Sequence, residues 1–595
     1  MDPHGFYQQQ SATLLALSKR IRTKRNLITF MKLLTFGLMV FLVYRFIDGS
    51  DQPLLYWGIL SVLFFGALTF WDSRTLYRQR FTEELLRINQ LETDALNGKY
   101  TDGAQGDEFL DPGHPYANDL DLFGENSLFQ QLNRTVTASG TRQLADWLLH
   151  LCQDPETIRQ RQQATAELAS LPEWCQHFRA CGALHPTQHL DAEILKKWRS
   201  GSPFFKKPQT VRPVLWSLNS LVILSWTATF FTPIPASLPL CLSLLQLLIL
   251  SCWLKKINRY HQQLNLFLKT VSHYRPLVEL LHRQTFQSDY LKQITDRVFA
   301  PPNHSLQALK ALYKIQNRLD QRGNILVAFV LNGLYLKDFH TLLCLDRWKR
   351  NYGARIEGWT QVLSKTDALI SMANYRFNHP SYSIPVISND SLIEAREIGH
   401  PLLKSERSVT NDFRIKSLHQ VAIVTGANMA GKSTFLRTIG VNLVLAQSGN
   451  VVCSRYLAFQ PMTLFTSMRT TDNLSKDTSY FHAELIRLQQ LVTLATKERR
   501  VFMIIDEMLK GTNSVDKLNG SLAFLKKLLT LPISGLVATH DLALGELAAE
   551  YPEHFFNVCF EIIHTGQEIS YDYKLHPGVS RNMNASILLK QMGLI

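Results

Sequence analysis

Gly426-Ala427-Asn428-Met429-Ala430-Gly431-Lys432-Ser433 lies between an apolar run, Val421 to Val424, and a stretch with helical periodicity, Thr434 to Ala446. That order predicts strand, glycine-framed loop, helix, and the spacing GxxxxGKS is that of a phosphate-binding loop. Gly426 and Gly431 let the backbone turn tightly, so that the consecutive N–H groups of Ala427, Asn428, Met429 and Ala430 point inward at phosphate oxygens. Lys432 adds a point charge beside the β and γ phosphates, and Ser433 offers a hydroxyl to Mg²⁺. Thr434 opens the helix that presents its positive end to the anion.

Two further apolar runs end in polar residues. Val501-Phe502-Met503-Ile504-Ile505-Asp506-Glu507 has the pattern of a buried parallel strand delivering carboxylates at its C-terminal end. Asp506 is expected to hold Mg²⁺ through its water shell, and Glu507 to orient or deprotonate the attacking water. Leu536-Val537-Ala538-Thr539-His540 ends in a histidine placed to sense the γ-phosphate or to contact the water. Lys432, Glu507 and His540 are thus the catalytic candidates, and Ser433 and Asp506 the metal candidates. Thr478-Ser479-Tyr480-Phe481-His482-Ala483-Glu484 begins a helix that Ser479 can cap. A helix start can also serve as an anion site for a neighbouring subunit's phosphate.

The chain has 595 residues, enough for about three to five domains. Its formal charge of +14 suits nucleic acid or an anionic membrane surface and does not choose between them. The eight cysteines are scattered, with no CxxC pair, so neither a zinc site nor a disulfide framework is expected. A reducing, cytoplasmic setting fits.

Apolar residues are unevenly spread. Residues 1–29 are polar and basic, and no cleavage site marks them as a removed signal peptide. Phe30 to Ile47 is mostly apolar, Asp48 to Pro53 is a short polar break, and Leu54 to Trp71 has 18 residues without a charge. Val214 to Phe231 and Ala236 to Leu254 form a second uncharged pair around the turn Thr232 to Pro235. These read as two transmembrane hairpins. All four outer flanks are basic and both inner turns lack basic residues, which places every large soluble segment in the cytoplasm. A shorter apolar run, Ile325 to Leu336, is too brief to span and is read as a core helix. Gly103 to Gly113, with Pro112 and Pro115 nearby, reads as a linker, and Asp154 can cap a helix whose first residue is Pro155. Residues 257–375 are helix-patterned.

Together these blocks resemble the MutS family of DNA mismatch-recognition ATPases. Thr425 to Thr434 resembles the family's TGPNMxGKST, and Gln447-Ser448-Gly449-Asn450-Val451-Val452 the segment after its first helix. Leu464-Phe465-Thr466, Asp472-Asn473-Leu474 and Ser479 to Glu484 resemble its signature region. Asp506 to Ser514 is similar to DEIGRGTST, and Ala538-Thr539-His540 to the ATH switch. The spacing of Thr135, Thr137, Gly140, Arg142 and Leu144 looks like the start of the family's core helical domain. The resemblance covers Val409 to about Gly593, and Leu120 to about Leu168. It implies an ABC-type ATPase that binds ATP and Mg²⁺ and works as a homodimer, each site joining one phosphate loop to the other subunit's Ser479 helix. Ser514 and its neighbours would lie near the dimer seam.

The expected architecture is therefore an α/β P-loop ATPase domain of ABC type at the C-terminus, behind an all-α MutS-like core carrying the two hairpins. The expected boundaries are a basic N-terminal segment (1–29), hairpin 1 (30–71), a linker (72–118), core helices (119–205), hairpin 2 (206–256), further core or lever-like helices (257–385) and the ATPase domain (386–595). Departures from the family pattern are also present. Membrane spans and a linker occupy the place of the mismatch-reading domain, whose Phe-x-Glu wedge neither Phe81-Thr82-Glu83 nor Phe123-Gly124-Glu125 matches in context. Residues 257–385 are short for a full DNA clamp as well as a core. Ser408 stands where the family stacks an aromatic on adenine, Asp477 stands at the signature glycine, and no terminal helix-turn-helix module is expected after Gly593. Two functional expectations follow. One is a DNA-binding ATPase of mismatch repair or recombination, anchored in the inner (cytoplasmic) membrane. The other is an ATP-driven switch acting on a protein or membrane partner, with DNA recognition lost. An ABC transporter fits less well, because four spans are few for a translocation path and Leu474-Ser475-Lys476-Asp477 is a poor transporter signature.

Overall fold

A computed structural model describes residues 2–49, 52–100, 103–185, 198, 201–299, 305–404, 408–427, 429–469, 480–565 and 568–580. The helices of the first two-thirds are α1 (Pro3–Gly49), α2 (Gln52–Leu96), α3 (Leu128–Leu132), α4 (Ala138–Leu149), α5 (Pro155–Ala169), α6 (Pro172–Leu184), α7 (Pro208–Phe231), α8 (Ser237–Arg283), α9 (Asp289–Phe299), α10 (Ser305–Asp320), α11 (Ile325–Tyr335), α12 (Lys337–Tyr352) and α13 (Ile356–Asn378). The C-terminal part alternates strands and helices: β1 (Val386–Ile387), β2 (Ile393–Ile398), β3 (Asn411–Ile415), β4 (Val421–Gly426), α14 (Lys432–Ser448), β5 (Tyr456–Phe459), β6 (Thr463–Ser467), α15 (Tyr480–Lys497), β7 (Val501–Asp506), α16 (Ser514–Leu528), β8 (Ile533–Thr539), β9 (Phe555–Thr565) and β10 (Glu568–Pro577).

Among the described residues, four helices are long and apolar enough to cross a membrane: α1, α2, α7 and the first part of α8. Their apolar stretches face outward. Leu33 and Leu63 are each about two-thirds exposed, and Phe231 is 88% exposed, where a soluble protein would bury such side chains. The helices do not stop where the apolar runs stop. No glycine or proline lies between Trp71 and Leu96, so α2 carries its helix out of the apolar band, and the first 25 residues of the expected 72–118 linker are helical. Gly98, at φ 75°, supplies the left-handed residue just past the helix end. The basic N-terminal segment is likewise helical, with Asp2 accepting the Gly5 N–H at 2.9 Å. The reading of Ile325 to Leu336 as a core helix is overturned: α11 buries Asn332 and Gly333, while Ile325, Leu326, Phe329 and Val330 are exposed. Shortness and apolarity fit a core helix, but α11 lies beside α8 at the level of its apolar run.

The helical core is built around α13, buried along most of its length against α4 and α5. The Thr135–Leu144 pattern now has a structural cause. Thr137 caps α4, accepting the Gly140 N–H at 3.0 Å, and its own N–H and hydroxyl donate to the buried Asp367 of α13. A Cβ at position 140 would collide with that carboxylate, so only glycine fits. Asp154 accepts the Thr157 N–H at 3.0 Å ahead of Pro155, the expected cap of α5.

The C-terminal domain holds a six-stranded sheet in the order β10-β9-β4-β8-β7-β6 and a four-stranded sheet in the order β1-β5-β2-β3. In the larger sheet only β10 is antiparallel to its neighbour. Every residue of β4 and β8 is buried, as expected of strands covered on both faces. The two parts are fastened together. Asp119 accepts from Thr466 Oγ1 at 2.7 Å and from the Met468 and Arg469 N–H groups, and Ser448 Oγ donates to Trp147 O at 3.1 Å.

Candidate active site

Parallel pairing brings the chemistry to one sheet edge. Thr425 of β4 is in register with Thr539 of β8, and Ala538 of β8 with Asp506 of β7, so all three strands end at the same level. The loop after β4, the carboxylates after β7 and the histidine after β8 therefore converge. Lys432, Ser433, Thr434, Ala427, Met429, Gly431, Asp506, Glu507 and His540 line one cavity of about 880 Å³.

The loop has the backbone its sequence demands. Gly426 has φ 147° and Gly431 φ 108°, both in the region that favours glycine. Adding a Cβ at Gly426 would bring it 2.8 Å from Phe560 O. Lys432 opens α14 and folds back, donating from Nζ to Gly426 O at 2.7 Å and to Ala427 O at 2.8 Å. Ala430 is buried beneath the loop, and Met429 at its tip is 78% exposed. Asn428 and Ser479 lie outside the described residues, as do the Asp472-Asn473-Leu474 block and Asp477.

The two metal candidates are in contact: Ser433 Oγ donates to Asp506 Oδ2 at 2.5 Å. A hydroxyl and a carboxylate oxygen are the hard donors that Mg²⁺ takes while keeping several waters. Glu507 has φ 65°, and its N–H donates to Ala538 O at 2.9 Å, which fixes its direction. Its carboxylate accepts from Lys517 Nζ at 2.5 Å. Burial pushes the Glu507 carboxyl up, but the Lys517 hydrogen bond and charge outweigh it, so the net shift is downward. Burial also lowers Lys432 to about 8, against the opposing pull of Asp506 and Glu507. His540 is lowered first by burial and then by the Lys432 charge, which favours the neutral ring.

Several residues of the site were not picked out from sequence. Lys517 sits in the first turn of α16, which Asn513 caps by accepting the Asp516 N–H at 2.9 Å. Its signal was the helix start just after the Asp506–Ser514 block, which aims the first turn back at Glu507. Tyr573 comes from β10, where the ladder slips between Tyr571 and Leu575. Asn411 holds that bulge, donating to Tyr573 O at 3.1 Å and accepting from Leu575 N at 2.8 Å. The Tyr573 ring lies over Gly431, in the same cavity that Ser408 lines without a ring. Nothing in the local sequence announces a bulge that turns a strand residue into the cavity.

Comparison with known families decides the lineage. The model of MutS domain III matches residues 116–373, and that of MutS domain V matches residues 422–590. The chain belongs to the MutS family. The phosphate loop, Asp506, Glu507, His540 and Tyr573 lie within the MutS domain V match, Ser408 and Asn411 just before it, and hairpin 2 lies inside the MutS domain III match. DNA mismatch repair protein MutS of Ehrlichia ruminantium (strain Gardel) is 29% identical over 241 residues, 40% of this chain and 29% of that protein. DNA mismatch repair protein MutS of Treponema pallidum (strain Nichols) is 25% identical over 500 residues, 76% of this chain and 54% of that protein. MutS protein homolog 4 of Homo sapiens is 31% identical over 235 residues, 38% of this chain and 24% of that protein. The chain thus spans about a quarter to about half of the length of these relatives.

Proposed function

We propose that this MutS-family chain is an ATP hydrolase anchored in the cytoplasmic membrane by two helical hairpins, working as a homodimer and binding DNA in mismatch repair or recombination. The observation that carries the ATPase reading is the meeting of Lys432, Ser433, Asp506, Glu507 and His540 at one sheet edge. The backbone N–H groups of the loop and the charge of Lys432 bind the phosphates. Ser433 and Asp506 would hold Mg²⁺, which would neutralise charge on the β and γ phosphates. Glu507, anionic at neutral pH, orients the attacking water and accepts its proton. His540, neutral, hydrogen-bonds the water or the γ-phosphate. Tyr573 stacks on the adenine in place of an aromatic at Ser408.

The membrane reading is supported by the exposed apolar bands of α1, α2, α7 and α8 and by the basic residues that bracket them. The DNA-binding and repair roles rest on the relatives, whose names call them DNA mismatch repair proteins. A specific observation favours the second reading, an ATP-driven switch on a membrane or protein partner. Phe6 and Tyr7 at the start of α1 pack on Phe377, and Tyr7 Oη donates to Asn378 Oδ1 at 2.7 Å. Hairpin 1 is thereby joined to the helix that leads into the ATPase domain. ATP turnover by detergent-solubilised protein, measured without DNA and with homoduplex, mismatched and branched DNA at low salt, separates the two. Stimulation by one DNA form supports the first reading; no binding and no stimulation by any form leaves the switch.

A further inference from the structure

We propose that the cleft between α7, α11 and α12 binds the phosphate headgroup of an anionic phospholipid. The inference rests on the reading of α7 and α8 as membrane spans. The cleft has a volume of about 820 Å³, and its lining holds Arg212, Arg318, Lys337, Arg347 and Arg350 with no aspartate or glutamate. Among the described residues none of these five cations forms an ion pair. Nearby acids are engaged elsewhere: Asp338 with Arg322 at 2.8 Å, and Asp320 as acceptor from Gln316 at 3.5 Å. Several like charges around one cavity repel one another until an anion enters. Lys337 is lowered chiefly by burial, with Asp338 opposing the shift and Arg318 adding to it.

Part of the remaining lining is apolar. Trp216 and Leu331 border the same cleft, so a ligand with a phosphate and hydrocarbon chains meets matching surfaces at both ends. Position within the fold agrees. Arg212 stands two residues before the uncharged run that begins at Val214. At its start α11 is pinned near Asn258, which accepts from Arg322 at 2.9 Å just beyond Lys255 and Lys256. Towards its end, Gly333 lets α11 approach Leu247, within 3.6 Å of where a Cβ would stand. Leu247 lies eight residues before Lys255, about 12 Å along the helix into the apolar band. The chain then turns at Leu336, φ 45°, with an 82° bend, directly into Lys337 and α12. Asn332 Oδ1 accepts the Asp338 N–H at 2.9 Å across that turn, which keeps the backbone satisfied. With 11 residues α11 is too short to cross a bilayer, so its exposed apolar face dips into one leaflet, beside the cations.

The test is a lipid titration of the full-length, delipidated protein in detergent, read by native mass spectrometry. The probes are phosphatidylglycerol, phosphatidylcholine, inorganic phosphate and a short DNA duplex. Phosphatidylglycerol should be retained over phosphatidylcholine. The Arg212→Gln/Arg347→Gln/Arg350→Gln variant should retain it roughly a hundredfold less tightly. Arg74→Gln/Arg78→Gln, on the flank of hairpin 1, should retain it like wild type, and unchanged ATP turnover checks the fold of both variants. Equal retention of the two lipids, retention unaffected by the triple substitution, or displacement of the lipid by inorganic phosphate or by duplex at equal affinity overturns the proposal. Carbonate extraction of membranes from expressing cells reports separately on the spans. Release of the protein by carbonate defeats the membrane reading itself, whatever the titration shows.

Discussion

On the proposed hydrolase reading, Glu507 is the residue on which turnover depends, and its partner Lys517 decides the pH at which it works. Glu507→Ala should cut kcat by about 10²- to 10⁴-fold, the range for loss of a general base, while ATP binding persists. Unchanged turnover would remove Glu507 from the chemistry. Lys517 holds the Glu507 carboxyl below its ordinary value although burial pushes it the other way. Replacing Lys517 with Gln leaves burial unopposed by that charge, so the carboxyl rises and the acid limb of the kcat/KM profile moves to higher pH. A limb that stays in place would show that the ion pair does not set the base. Lys432 gives a prediction at the other end of the scale. Burial lowers it to about 8, so its charge is present below that pH and lost above it. The affinity of the free protein for ATP should therefore fall as pH rises through about 8, a trend that calorimetry at pH 7 and pH 9 checks. Glu507 and His540 were legible in the sequence because each ends an apolar run, and Lys432 because the GxxxxGKS spacing marks it. Lys517 and Tyr573 were not, because a helix turn and a strand bulge carry them in.

The long helices are locked together by charges that the sequence showed only as scattered polar residues. Glu92 on α2 is fully buried between Arg134 Nε at 2.7 Å and Arg179 of α6 at 2.7 Å. Asn374 and Asn378 of α13 donate to its other oxygen, each at 2.9 Å. Burial alone would raise this carboxyl, but the two guanidinium groups win and hold it at about 2. Glu92→Gln would leave two buried cations without their counter-charge, at a cost of about 3–5 kcal/mol. Its folded-state pKa is depressed, so the wild-type advantage is complete above the unfolded value of about 4.3 and drains away as pH falls through about 2. Urea midpoints of wild type and Glu92→Gln should therefore differ at pH 7 and converge on acidification. The parallel strands β4, β7 and β8 and the paired apolar runs were readable because a continuous apolar run has few other uses. The helical continuation of α2 past Trp71 was read as linker, because a polar helix begun inside an apolar one has no cap of its own. The exposure of α11 was hidden for a related reason: periodicity tells an apolar helix from a polar one, but not what lies against it.

Both hairpins are built into the MutS domain III core rather than tied to it by a flexible arm. α1 begins on the end of α13, α2 ends against α6 and α13, and α8 runs from its apolar portion through to Arg283 within the core. In hairpin 2 a polar chain crosses from the apolar helices to α12: Gln246 Nε2 donates to Asn219 Oδ1 at 3.3 Å, and the Asn219 side chain meets His340 at 2.7 Å. α13 is the shared member. It carries the contacts of α1, the Asp367 acceptor for α4 and the path into β1, while α14, which opens with Lys432, docks on α4 through Ser448 and Trp147. A change at the proposed nucleotide site that shifts α14 therefore has a packed route to α13 and from there to α1. Coupling along that route predicts that ATP alters backbone hydrogen exchange at residues 3–14 in the Glu507→Ala protein, which holds nucleotide without turning it over. Tyr7→Phe removes the hydrogen bond to Asn378 and keeps the ring, so it should reduce the ATP-dependent difference while leaving exchange in β4 and β7 unchanged. Identical exchange at residues 3–14 with and without ATP would make the hairpins anchors alone. A difference that survives Tyr7→Phe would route the coupling through the packing of Phe6 and Phe377, whose rings meet at 5.2 Å, instead of through the hydrogen bond.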